Sequence, residues 1–232
     1  MFKKSSFYKV ISTQIVVFFA LMIPFHFVKA CENATPPVVL LENLAAEIIA
    51  EVNTRREEIA HDPTVANRLI ETILVPHIDK LTASRKVLGN YWSRMSDPQK
   101  KDFMRTFFIF LTRFSAEILA DYLSEHKQNL DTTLIVFNKD YQTDGLDVTV
   151  RSVFHIQGGK THSVNFTLRC KTSGWKVFDI EINGYSMVDQ YQGCFKRKID
   201  SSGFTSLLGF LRNRNKLMLA GNANQPEQEI LQ

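Results

Sequence analysis

The sequence lacks a strong charge of either sign: 28 Lys and Arg against 24 Asp and Glu leave a formal +4 over 232 residues. The basic residues are scattered along the chain, so the electrostatic footprint of a nucleic-acid binder is missing. Also missing are a nucleophile elbow, a phosphate-cradling glycine loop, and HExxH or CxxC pairs at metal-ligand spacing. Their absence removes the usual starting points for hydrolase, nucleotide and zinc chemistry. There is no internal repeat. Polar aromatics are scarce: two Trp and six Tyr stand against 18 Phe, a large apolar volume that suits either a thick core or an apolar cavity. The rest of the composition, 44% hydrophobic and 22% charged, is ordinary for a globular chain and excludes both a disordered chain and a multi-span membrane protein.

One long hydrophobic run is present. Lys3, Lys4 and Lys9 precede an apolar stretch from Val10 to Val28 that ends at Val28-Lys29-Ala30, the pattern of a cleaved export signal over residues 1–30. A run this long also suits an uncleaved membrane anchor, against which Pro24 and His26 argue. Cys31, directly after Ala30, opens a lipoprotein reading in which that cysteine is acylated, with Lys29 a poor residue before such a site. Export implies an oxidising compartment in which three cysteines remain to be placed. Cys170 closes an expected strand and Cys194 lies just beyond the next, so a short return of the chain brings this pair within bonding range; two buried thiols are the alternative.

Periodicity divides the remainder into a helical half and a sheet half. After Pro36-Pro37, Val39, Leu40, Leu44, Ile48, Ile49 and Val52 recur at helical spacing. Asp62-Pro63 opens a second helix that reaches Pro76, and a short segment through Leu81 and Val87-Leu88-Gly89 leads to Trp92, with Gly89 relieving a turn or a close contact. Ser96-Asp97-Pro98-Gln99 is a capping box for a long helix to about Tyr122, whose stripe of Phe103, Phe107, Phe110, Leu111, Phe114 and Ile118 is widened by Phe108 and Leu119 to touch apolar material on two sides.

Beyond Asn129 the period becomes two. Leu134 to Phe137 is a short strand. Val148, Val150, Phe154 and Ile156 alternate toward a Gly158-Gly159 turn, and Val164, Phe166, Leu168 and Cys170 return. Trp175 to Ile182 is apolar on both faces, with Trp175 and Val177 on one and Phe178, Ile180 and Ile182 on the other. Helices over Met187–Lys198 and after Gly203 follow. The expected fold class is α+β: a twisted antiparallel sheet of about four strands packed against several helices. A single domain is expected over residues 31–216, with a disordered tail at 217–232.

Two clusters resemble chemistry. His155 and His162 flank the hairpin and are placed to face each other, but without a third ligand they suit a solvated edge better than a metal. Asp179 and Glu181 alternate on the last strand with no proton acceptor or substrate clamp near them in sequence. No catalytic residue, metal or cofactor is expected.

Three stretches together resemble the MlaC or toluene-tolerance family of periplasmic phospholipid-binding proteins. They are Leu74-Val-Pro-His-Ile-Asp79 with Ala83-Ser84 and Val87-Leu-Gly-Asn-Tyr-Trp92; Ser96-Asp-Pro-Gln99 with Phe103, Phe107, Leu111, Ala116, Leu119 and Tyr122; and Gly174-Trp-Lys-Val-Phe-Asp-Ile180 with Gly184-Tyr-Ser186, Val188, Tyr191, Phe195 and Gly203. The departures are Tyr185, where a small aliphatic residue is usual, and Gly193-Cys194. The resemblance implies a non-enzymatic, monomeric periplasmic carrier with bound phospholipid as cargo, exchanging lipid between an outer-membrane lipoprotein complex and an ATP-driven inner-membrane transporter, in maintenance of outer-membrane lipid asymmetry; an envelope docking adaptor without lipid is the alternative. It implies an apolar pocket with one wall of Val148, Val150, Phe154, Val164, Phe166 and Leu168, a helical wall of Leu74, Trp92, Phe107, Leu111 and Phe114, and a flank of Met187 and Val188. Arg85 or Lys86 is expected to meet the headgroup phosphate.

Overall fold

The computed structural model describes Cys31, residues 34–155 and residues 159–219. The expected export signal, the Ile156 to Gly158 part of the hairpin and residues 220–232 of the expected tail lie outside the described residues; residues 217–219 are helical rather than disordered.

Helix α1 (Pro37–Thr54) starts on proline at its first position, where the missing N–H costs nothing. After α2 (Arg56–His61), Asp62 caps α3 (Pro63–Leu69) by accepting from the Thr64 N–H at 2.9 Å. The chain continues through one π turn (Ile70–Leu74) and a 3₁₀ turn (Val75–His77). The short segment through Leu81 and Val87 is a helix, α4 (Lys80–Leu88). Its nine residues are too few for a long apolar stripe, and the legible signal was its cap: Asp79 accepts from the Thr82 N–H at 3.1 Å. Gly89 ends it at φ +50°, a left-handed turn that favours glycine, and a Cβ there would stand 2.9 Å from Gln192 Nε2, at the movable end of that side chain. The long helix α5 (Asp97–Glu125) carries the expected capping box, Ser96 and Gln99 exchanging backbone-to-side-chain bonds.

The sheet is antiparallel, in the order β1 (Ile135–Phe137), β3 (Asp147–His155), β4 (Thr161–Lys171), β5 (Gly174–Ile182), β6 (Tyr185–Ser186), with β2 (Gln142–Asp144) also on β3. The two strands beyond the expected four are β2 and β6, two or three residues long and too short to show alternation. Helices α6 (Met187–Ser202) and α7 (Phe204–Leu219) follow the sheet.

Among the described residues, apolar side chains gather in three cores. The first joins α4, the N-terminal half of α5, α6 and α7 around Phe103, Phe107 and Phe110, which are at most 1% exposed. The second joins α1, α2, α3 and the C-terminal half of α5 around Ile59, Ala116 and Leu123. The two-sided contact expected of α5 is thus divided along its length. The third is small: Val38 and Leu41 of α1 against Val148, Val150 and Leu168 of the sheet.

Candidate functional site

Strand alternation puts Val148, Val150 and Phe154 on one face of β3, and the register pairs Val148 with Leu168, Val150 with Phe166 and Phe154 with His162. Directly opposed residues of an antiparallel pair point to the same side, so Val164, Phe166 and Leu168 join that face. All six expected sheet residues therefore share one apolar strip. Ser152 lies within it, buried, and donates to the Val164 carbonyl at 2.5 Å, which satisfies its hydroxyl.

Strand β5 contributes more than the alternation suggested. A bulge sets Thr167 against Asp179 and Leu168 against Val177, leaving Phe178 as the extra residue. The bulge reverses the parity of the strand, so Trp175 and Val177 before it and Ile180 and Ile182 after it all lie on the strip. This corrects the two-faced reading of β5. Phe178 instead enters the first core on the opposite face, 5.2 Å from the Arg169 guanidinium and 5.1 Å from Lys86 Nζ. The doubled Val177-Phe178 was the sequence signal for the break.

The strip differs at its two ends. Val150 and Leu168 are fully buried beneath α1. One rung nearer the β3–β4 hairpin Ser152 and Val164 stay buried, and exposure rises across the strands instead: Phe154, Phe166 and Ile180 are half-buried, Ile182 of β5 is 40% exposed and Tyr185 of β6, opposite Ile182, is 64% exposed. A roofed apolar floor that opens at one end can accept an extended apolar chain from that end.

The expected helical wall is not brought against this strip. Phe107 is sealed in the first core, its ring centroid 5.3 to 5.5 Å from those of Phe103, Phe108, Tyr191 and Phe195. Trp92, Leu111, Phe114 and Val188 pack in the same core, and Leu74 packs on the second. Met187 is half-buried at the start of α6. A helix stripe reports which face is apolar and not which neighbour it meets.

Arg85 and Lys86 also lie away from the strip. They are exposed on α4 and border a depression of about 540 Å³ with Arg169 and Lys171. Arg169 alternates with Leu168, so this depression is on the other face of the sheet. Two of its cations are already paired: Arg169 holds both Asp147 oxygens at 2.6 Å, and Lys171 meets Asp79 at 2.6 Å. Burial pushes the Asp79 carboxyl up, but the Lys171 ammonium and the Thr82 hydroxyl and N–H outweigh it and hold the group below the ordinary carboxylate value. Asp79 also donates its backbone N–H to the Val177 carbonyl at 2.8 Å, tying α4 to β5.

The remaining sequence candidates are structural. The register sets His155 opposite Thr161 and His162 opposite Phe154, which puts the two histidines on opposite faces. Asp179 accepts from Ser186 Oγ at 2.6 Å and from the Val188 N–H at 3.0 Å, anchoring the start of α6, while Glu181 accepts from Asn165. Among the described residues no cluster of three His, Cys, Asp or Glu is placed to hold a metal, and no helix is long and apolar enough to cross a membrane.

The cysteine pairing differs from the expected one. Cys170 is bonded to Cys31, with Cα atoms 5.9 Å apart, and Cys194 is a free buried thiol. Cys170 follows Leu168 onto the α1 side of the sheet, whereas Cys194 faces the first core, so the sheet separates them.

The fold and the strip together define a class: an α+β protein with an apolar sheet face roofed by a helix at one end and open at the other. The family model described as MlaC protein matches residues 42–213, and the chain belongs to that family. The intermembrane phospholipid transport system binding protein MlaC of Haemophilus influenzae is 24% identical over 157 residues, covering 67% of this chain and 71% of that one. A phospholipid-binding protein from Ralstonia solanacearum, solved in complex with a phospholipid, shares the fold with a TM-score of 0.68 and 22% identity over 80% of this chain and 99% of its own.

Proposed function

We propose that this protein is a periplasmic phospholipid carrier that lays acyl chains along the open end of the apolar strip and exchanges lipid between an outer-membrane lipoprotein complex and an ATP-driven inner-membrane transporter. The observation that carries this reading is the rise in exposure across one continuous apolar face, from fully buried Val150 on β3 to 40% exposed Ile182 on β5. Burying two chains of about 30 methylenes at ~0.8 kcal/mol each removes more than ~20 kcal/mol of unfavourable hydration. Unassisted release into water is therefore negligible, and unloading requires a docked partner or bilayer. A membrane solvates the tails equally well, so transfer is close to isoenergetic and its direction is set by the partners.

The test is native mass spectrometry after mild purification, with Phe166→Asp as the comparison. Bound phospholipid in the parent chain and none in a variant with unchanged circular dichroism supports the carrier. Equal lipid content in both rejects the strip as the binding face, and an empty parent chain retained by envelope proteins favours a docking adaptor.

A further inference from the structure

We propose that the Cys31–Cys170 disulfide is a redox-sensitive clasp that holds the N-terminal end of α1 over the roofed end of the strip; its effect on lipid rests on the carrier reading above. The two ends of α1 are secured differently. At the far end, Asn53 exchanges two hydrogen bonds with Leu130, at 2.7 and 2.8 Å, and Val52 is buried in the second core. At the near end, Val38 is buried against the sheet, and Cys31, six positions before Pro37, is joined covalently to Cys170 of β4.

The part of α1 next to the clasp is the part that covers the strip. Val38 and Leu41, in its first turns, seal Val148, Val150 and Leu168, and Phe166 and Trp175 pack at the edge of the same cluster. With the disulfide closed, the near end of the helix stays tethered to β4 by the short stretch of chain from Cys31 to Pro37. With it open, α1 can pivot about its Asn53 end, and the buried floor becomes continuous with the exposed one.

The chemistry is thiol–disulfide exchange. A thiolate of an external dithiol attacks one sulfur of the bridge and forms a mixed disulfide, which the second thiol of the dithiol then resolves. Two electrons and two protons pass from the dithiol to Cys31 and Cys170, and a disulfide oxidant reverses the step. The sulfur of Cys31 engaged in this bridge is also unavailable for a thioether-linked lipid.

The test uses the full exported chain loaded with lipid and vesicles of phosphatidylethanolamine and phosphatidylglycerol as acceptor. Oxidised protein is compared with protein reduced in place and with the Cys31→Ala/Cys170→Ala pair. Opening the clasp should speed lipid transfer by roughly tenfold or more and raise amide exchange in the first turns of α1, with the far end unchanged. Identical transfer rates together with unchanged amide protection overturn the clasp, as does an intact mass showing Cys31 reduced or acylated in the exported protein. A chain that never takes up lipid defeats the carrier reading, while amide exchange still decides the clasp.

Discussion

The helical half and the sheet spend similar apolar residues in opposite ways. Around Phe107, five aromatic rings meet edge-on or stacked, four of them buried and Tyr191 partly so. On the sheet, an apolar strip is covered by Val38, Leu40 and Leu41 of α1 on one part and left open at Ile182 and Tyr185 on another. Apolar character alone therefore does not mark a binding face. What marks it is apolar character that the fold leaves uncovered.

Substitutions on the two sides should separate stability from lipid retention. Phe107→Ala leaves a large cavity among packed rings and should cost about 3–5 kcal/mol of unfolding free energy, read by denaturant titration, with lipid per folded molecule unchanged. Loss of lipid without loss of stability would move the pocket into the helical core.

Asp79→Ala removes a helix cap and a partly buried ion pair and should cost about 1–2 kcal/mol. Because the folded carboxyl titrates below its ordinary value of 3.8, its contribution is complete above that value and is lost as pH falls through the lowered one. Acid unfolding curves of parent and variant should accordingly converge at the lowest pH and separate as pH rises past 4. Parallel curves would show that the Lys171 pair carries no stability.

Ile182→Asp, at the open end, should change stability by less than about 0.5 kcal/mol yet reduce bound phospholipid in native mass spectra. The smallest effect belongs to the far face: Arg85→Glu should leave both unfolding free energy and lipid content unchanged, since the sheet stands between this cation and the strip. A lost headgroup adduct in that variant would reverse the placement.

Local signals were read well from the chain. The Ser96 capping box, the Asp62-Pro63 start and the alternation of β3 and β4 all express interactions between residues a few positions apart, and the six sheet residues of the expected pocket share one face as their spacing requires. The helical wall was not legible, because the stripe on α5 is equally satisfied by α6, by α7 or by a sheet. The same limit explains Cys194, whose nearness to Cys170 in sequence said nothing about the sheet between them.

Residue spacing by itself determined where the helices begin, which strand residues lie together and that a large apolar surface exists, because each follows from backbone geometry repeated every two or 3.6 residues. Tertiary structure alone decided the rest. One extra residue at Phe178 turned Ile180 and Ile182 onto the strip, and a bond spanning 139 positions brought Cys31 to Cys170. The placement of α1 left one end of the strip roofed and the other bare. These depend on contacts between distant segments, and no local period encodes which of several matching apolar faces will meet.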